Sequence, residues 1–316
     1  MDNTRKVTII CWAISTMALL GLATWFIVGI HGAESRSIFR FDTGMFEVVG
    51  SHSVPAYNID TISIDWVSGA VYVGVHSGDT IQITESARHR LRDGENLRYN
   101  VAGGALEIRF SENRVIRGNA QAKQLEVLIP YALSSSLDVF NAHNIAGRAT
   151  VNDIHADTLA ISTISGRIEL SNSSARGVEV VTTSGRIELN NVEANDISLQ
   201  TVSGSISTVA TQAQSITSHT ISGRHELRGS FDDVVALSAS GRVGIESRIV
   251  PERIDATTAS GRIEIRVPSG EAIGVMHSTG SGRFSSQIPV TTHAGADAQF
   301  NLTTGSGRIG IYELMR

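Results

Sequence analysis

Eight arginines stand at one repeated position in the second half of this chain: Arg148, Arg167, Arg186, Arg224, Arg242, Arg262, Arg283 and Arg308. A guanidinium presents a planar fork of donors that meets a phosphate or a carboxylate through two parallel hydrogen bonds. Arg167, Arg186, Arg224 and Arg262 are each followed two residues later by a glutamate: Glu169, Glu188, Glu226 and Glu264. Residues two apart on a strand share a face, so each pair can neutralise itself. The copy at Gly204 carries Ser205 and Ser207 and has lost both charges together, as charge compensation requires. Arg242, Arg283 and Arg308, toward the distal end, lack the glutamate. These three are the candidate ligand-binding residues, for an anionic cell-wall polymer or a lipid head group. Charge compensation along the ladder is the competing, structural reading of the same positions.

Other reactive side chains form no constellation. A serine precedes each repeat glycine from Ser165 to Ser306, but no base accompanies the row, so the serines read as small corner residues. Gly305-Ser306-Gly307-Arg308-Ile309-Gly310 matches a dinucleotide fingerprint in letters only. That loop needs a following helix and an acidic residue about 20 positions on, and Arg316 is the last residue of the sequence. The 10 histidines include no H-E-x-x-H pair, and His225 occupies a place that is Ile or Val in most copies, which predicts a neutral core histidine. Asp232-Asp233 reads as a turn. Cys11 is the only cysteine, which leaves the rest of the chain without a disulfide or a cysteine metal site. No catalytic residue, metal ligand or cofactor site is singled out. A net charge of -5 points away from nucleic acid.

The elements that position the arginines follow from the repeat. Its glycines are Gly147, Gly166, Gly185, Gly204, Gly223, Gly241, Gly261, Gly282 and Gly307, the first five of them 19 residues apart. A fixed period of this length marks a stacked solenoid, because one copy is too short to enclose a core alone. Apolar residues alternate with polar ones on both sides of each glycine. Leu159 and Ile161 precede Gly166, and Ile168 and Leu170 follow it. Period-two alternation around a glycine predicts two short strands joined at a tight corner. The glycine is expected to supply a positive φ there. A hydroxyl residue stands three places before it, as at Thr163, Thr182 and Thr201. The predicted fold class is all-β: a parallel β-solenoid of about 19 residues per coil. Irregular coils span 58–136 and regular Thr-x-Ser-Gly-Arg coils span 137–316. Pro251, Pro268 and Pro289 fall in the last copies, which are expected to cap the open end.

The amino terminus is a separate object. Residues 7–30 carry no charged side chain. As a helix they would span roughly 36 Å at ~1.5 Å per residue, enough for a hydrocarbon core of about 30 Å. Arg5 and Lys6 precede this stretch, and Trp12 and Trp25 lie near its ends. The expected organisation is a cytoplasmic tail over 1–6, a transmembrane signal anchor over 7–30, a tether over 31–57 and an extracytoplasmic solenoid over 58–316. The alternative is a cleaved signal peptide. Against it, the stretch before Glu34 offers a poor cleavage site, with His31 at the second small-residue position.

The segment Ile62-Ser63-Ile64-Asp65-Trp66-Val67-Ser68-Gly69-Ala70-Val71, the run Lys123-Gln124-Leu125-Glu126-Val127-Leu128-Ile129-Pro130 and the repeated Thr-x-Ser-Gly-x-Ile carry a family likeness. On these residues the chain resembles the bacterial putative-adhesin family, a β-solenoid domain of unknown function, over roughly 59 to 311. Members often carry Asp directly after the repeat glycine, where this chain has Arg in most copies. The resemblance implies an extracytoplasmic, non-catalytic domain linked to the cell envelope, with no catalytic residues to carry over. Two rival functions are a polysaccharide-active β-helix enzyme and the ectodomain of an envelope-stress sensing complex. The second would need a membrane-protein partner, because a six-residue tail is too short to signal by itself.

Overall fold

The computed structural model describes residues 46–111, 122–270, 273–291 and 296–314. The anchor expected over 7–30 lies outside these residues. Among the described residues no helix is long and apolar enough to cross a membrane. The irregular part comprises β1 (Glu47–Pro55), β2 (Thr61–Ser68), β3 (Val71–His76), β4 (Thr80–Ala87), β5 (Arg98–Ala102), β6 (Ala105–Arg109) and β7 (Lys123–Pro130). A single turn of helix, α1 (Tyr131–Ser134), leads into β8 (Leu137–Ala146), β9 (Ala149–Asn152) and β10 (His155–Ser165). The regular part is β11 (Ile168–Ser184), β12 (Ile187–Ser203), β13 (Ile206–Ser222), β14 (His225–Ser240), β15 (Val243–Ser247), β16 (Arg253–Ser260) and β17 (Ile263–Val267). The chain closes with β18 (Ile273–Ser286), β19 (Val290–Thr291) and β20 (Gln299–Glu313).

Parallel pairing in register builds the stack. Ile168 lies beside Ile187, Ile187 beside Ile206, and Ile206 beside His225, one coil after another. Residues expected to point inward do so: Leu159, Ile161, Ile168 and Leu170 are all at most 1% exposed. Their columns form one continuous apolar core that runs the length of the stack. Each backbone ladder is shared with the coils above and below, which leaves side chains alone to face solvent.

Two features depart from the expected succession of coils. At the N-terminal end, β2 and β3 lie second in the stack, between β8–β9 and the later strands β6 and β7. The antiparallel strands β4 and β1 then cover β7, and β5 covers β6. The stack therefore includes β1, within the segment expected to be tether, because Val54 packs into the core and β1 completes the edge of β4. At the other end β20 inserts between β16–β17 and β18. The last copy in sequence is thus the penultimate coil in space, and the cap is the copy at β18. Pro251, Pro268 and Pro289 all fall outside strands, where the missing N–H costs no ladder bond.

Candidate functional site

The corner comes first, because it aims the arginines. The glycine column runs Gly69, Gly147, Gly166, Gly185, Gly204, Gly223, Gly241, Gly261, Gly307, Gly282 in stacking order. A Cβ placed on Gly185 would fall on the carbonyl oxygen of Gly166, and the same overlap recurs at each later step. Close backbone approach between coils is therefore what requires glycine along the whole column. A positive φ is the lesser reason: it holds at Gly69 (φ 107), Gly147 (φ 135), Gly166 (φ 154), Gly241 (φ 153) and Gly307 (φ 154) but not at every corner. The hydroxyl row lines the inside of the corner, where Thr304 Oγ1 donates to the Gly261 carbonyl at 3.2 Å.

Where an arginine directly follows the glycine, it turns outward. The expected pairs within a coil form: Arg167–Glu169 and Arg186–Glu188 at 3.1 Å, Arg224–Glu226 at 3.3 Å and Arg262–Glu264 at 3.0 Å. Arg148 also reaches Glu169, at 3.9 Å. Arg186, whose next coil carries Ser205 and Ser207 in place of an arginine and a glutamate, also donates through Nε to Ser205 Oγ at 3.2 Å.

The distal end differs. Because β20 is inserted, the arginines there follow the order Arg242, Arg262, Arg308, Arg283. Arg308 and Arg283 are register partners, and Arg262 stands one coil from Arg308. In-register strands lie about 4.8 Å apart, so the row of four extends over roughly 14 Å. Gly244, Gly310 and Ser285 occupy the places where glutamate stands in the paired coils. Glu264 is the single carboxylate of that column at this end, and it is shared with Arg266 at 4.0 Å. Among the described residues Arg242, Arg283 and Arg308 make no ion pair, and all three are exposed. Arg262, Arg283 and Arg308, with their glycines, line a shallow concavity of about 590 Å³. The structure thus joins Arg283 to Arg308 and separates Arg242 from them by the paired Arg262. Gly305–Gly310 lies inside β20, one more corner of the stack.

Other features were not anticipated. A second corner is marked by a left-handed backbone at Asp153 (φ 60), Asn172 (φ 51), Asn191 (φ 55) and Ala210 (φ 51). Asn and Asp reach that region most readily after glycine, and the column is tied by Asn191 Nδ2 donating to Asn172 Oδ1 at 3.0 Å. The signal was present in the sequence, as Asp or Asn six places after Gly147, Gly166 and Gly185. Beneath the irregular loops, Lys123 and Glu85 form an ion pair at 2.6 Å with both side chains 1% exposed. Lys123 also donates to the carbonyls of Glu95 and Phe110 and lies 3.9 Å from the Phe110 ring centre. Burial lowers its pKa from the ordinary lysine value, and the Glu85 carboxylate opposes that shift.

A single-sheet, stacked-coil domain with an arginine column on its corners is the class of protein that these features define. Residues 59–311 match the Toastrack DUF4097 family, and the chain belongs to it. Two solved structures share the fold. One, from Parabacteroides distasonis and named a "putative lipid binding protein", is 13% identical, with 84% of this chain and 96% of that chain covered and a TM-score of 0.51. The other, a "putative adhesin" from the same organism, is 14% identical, with 82% and 96% covered and a TM-score of 0.50. No curated protein matches the chain.

Proposed function

We propose that this protein is a non-catalytic binding module of the bacterial cell envelope, an adhesin-type domain held to the membrane by residues 7–30 with its bulk extracytoplasmic. The ligand is an anionic surface polymer or an anionic lipid head group. The observation that carries this reading is the adjacency of Arg308 and Arg283, two exposed arginines in register with no carboxylate between them. Stacked like charges repel. An arrangement that keeps them together while the other coils carry compensating glutamates favours an external anion.

The stack sets where such an anion would meet the protein. The described chain enters at β1, at one end, and the arginine row lies at the opposite end, nine glycine steps away. At about 4.8 Å per step that separation is on the order of 40 Å. A rigid spacer carrying a charged tip fits a surface binder, and many weak contacts along a polymer would add through avidity. The names of the two structural neighbours, one of adhesion and one of lipid binding, are compatible with this reading.

The test uses the full chain in nanodiscs of uncharged lipid, titrated with poly(glycerol phosphate) and, in a second arm, with phosphatidylglycerol vesicles. Binding should appear at low salt and weaken as salt rises, because exposed charges are screened within about 8–10 Å near physiological ionic strength. A response in one arm only identifies the source of the anion. Absence of binding in both arms at low salt would leave the arginine row purely structural.

A further inference from the structure

A second face of the stack carries a groove that the arginine row does not touch. Ala156, Ala175, Ala194 and Ala213 form a column in strict register, one alanine per coil. Ala194 and Ala213 turn inward and are 7% and 8% exposed. Their small side chains let this side of each coil sit close to the core, and the outward floor is backbone. The residues before and after each alanine point to solvent, as alternation on a strand requires. They make two walls about 7 Å apart, two residues of extended chain at ~3.3 Å each. The resulting groove has a volume of about 740 Å³ and runs along the stack from Ser135 to Ile249.

The two halves of the groove differ. In the proximal half each wall is occupied along its own length: Arg176 grips Asp157 through Nε at 3.1 Å and Nη2 at 2.5 Å, and on the other wall His155 Nδ1 meets Ser174 Oγ at 2.7 Å. In the distal half Glu193 and Gln212 stand in register on one wall, with Asn195 and Gln214 on the other. Among the described residues none of these four side chains makes a hydrogen bond or an ion pair, and all four are exposed. Asp232 continues the second wall by one more coil. Beyond Ala213 the column is taken by Phe231, which ends the alanine floor.

We infer that this half-groove binds an extended, uncharged β-linked glycan lying along the stack axis. Three observations select that ligand. A carboxylate accepts and a carboxamide both donates and accepts, a combination suited to vicinal hydroxyls, and such groups stand on both sides of the alanine floor. The rise of an extended β-1,4-linked chain per sugar is close to the rise between coils, so successive sugars meet equivalent wall residues. The backbone groups of these strands are already spent between coils, so a polypeptide would find no main-chain partners here. No aromatic ring lines the free half, so contact is by hydrogen bonds alone and affinity must build with chain length.

The test titrates the full chain in detergent with β-1,4-linked hexasaccharides of glucose, N-acetylglucosamine and mannose, and with the corresponding monosaccharides, by calorimetry. At least one hexasaccharide should bind, its monosaccharide should not, and the affinity should not change with salt. Gln212→Ala with Gln214→Ala should weaken binding about ten-fold, the loss of two neutral hydrogen bonds. Both side chains are exposed, and an unchanged melting temperature checks that the fold survives. Arg283→Ala with Arg308→Ala should leave glycan affinity unchanged, which keeps this result separate from that of the arginine row. Binding of none of the three hexasaccharides overturns the assignment. So does binding that survives the double glutamine change, or that disappears with the arginines.

Discussion

Ser218 Oγ and His225 Nδ1 lie 2.6 Å apart inside the stacked core, both with no exposed surface. Their register partners in the preceding coils are Leu199 and Ile206, so a polar pair replaces an apolar pair at one level of the stack. One hydrogen bond serves the pair, and Nε2 of His225 has no partner. Burial, with a smaller contribution from His219, pushes the His225 pKa down to about 4.

This level should make the stack acid-sensitive. The unfolded chain takes up a proton near the ordinary histidine value of 6.5, whereas folded His225 resists until about pH 4. The full stability contribution is therefore present above about pH 6.5 and is lost as pH falls toward 4. The loss between pH 7 and pH 5 should be about 2 kcal/mol. Denaturant melts at the two pH values measure it. His143 and His219, also lowered by burial, add to the slope, so the readout is the difference from a Ser218→Leu, His225→Ile variant. That variant should be less pH-dependent by this amount, and equal slopes would show that His225 does not titrate as argued.

Corner glycines should matter more than corner arginines. Gly185→Ala puts a Cβ onto the Gly166 carbonyl and should cost about 1–3 kcal/mol, as overpacking against backbone does. Arg186→Ala breaks only an exposed pair with Glu188 and should change stability by about 0–1 kcal/mol. Equal effects in thermal melts would contradict the close-approach role of the glycine column.

The buried Lys123–Glu85 pair should be costly to break from one side. Lys123→Met leaves the Glu85 carboxylate buried without its cation and should destabilise by about 3–5 kcal/mol. Adding Glu85→Gln removes the orphan charge and keeps an acceptor for the Leu97 N–H, which Glu85 holds at 3.1 Å. Most of the loss should return in the double variant, as read from denaturant midpoints. A double variant as unstable as the single one would mean that the pair does not act as a unit.

The coil order at the distal end can be read by cross-linking. Thr257 and Thr303 are register partners, and Ser278 lies one coil beyond Thr303. In a Cys11→Ser background, Thr257→Cys with Thr303→Cys should form a disulfide, since neighbouring strands place Cα atoms within the usual span of about 4.4–6.8 Å. Thr257→Cys with Ser278→Cys should not, because two coils separate them. The reverse outcome would restore the order of the sequence.

What the sequence discloses and what it hides divide along the range of the contacts. Ile168 and Leu170 were legible as core from their alternation, and Glu169 as the partner of Arg167 from its spacing, because both relations are local. The reason for Gly185 was not legible, since the atom that excludes a side chain there belongs to Gly166 in another coil. The insertion of β20 before β18 was hidden for the same cause: both copies carry the same corner residues, and nothing local states which neighbour each one takes. Lys123 stood out only as the first residue of the run that carries the family likeness, because only the fold brings Glu85, Phe110 and Trp66 around it. That hidden coil order is also what turned a candidate trio, Arg242, Arg283 and Arg308, into a contiguous row that includes Arg262.

The arginine row is tested most directly by comparing two double variants against poly(glycerol phosphate) at low salt. Arg283→Ala with Arg308→Ala removes the two adjacent unpaired charges, whereas Arg167→Ala with Arg186→Ala removes two charges already held by Glu169 and Glu188. Both changes lower the net charge equally, so a nonspecific attraction would respond alike to each. Binding should fall sharply in the first variant and stay near wild type in the second. Equal losses, or binding untouched by the first change, would contradict a distal anion site.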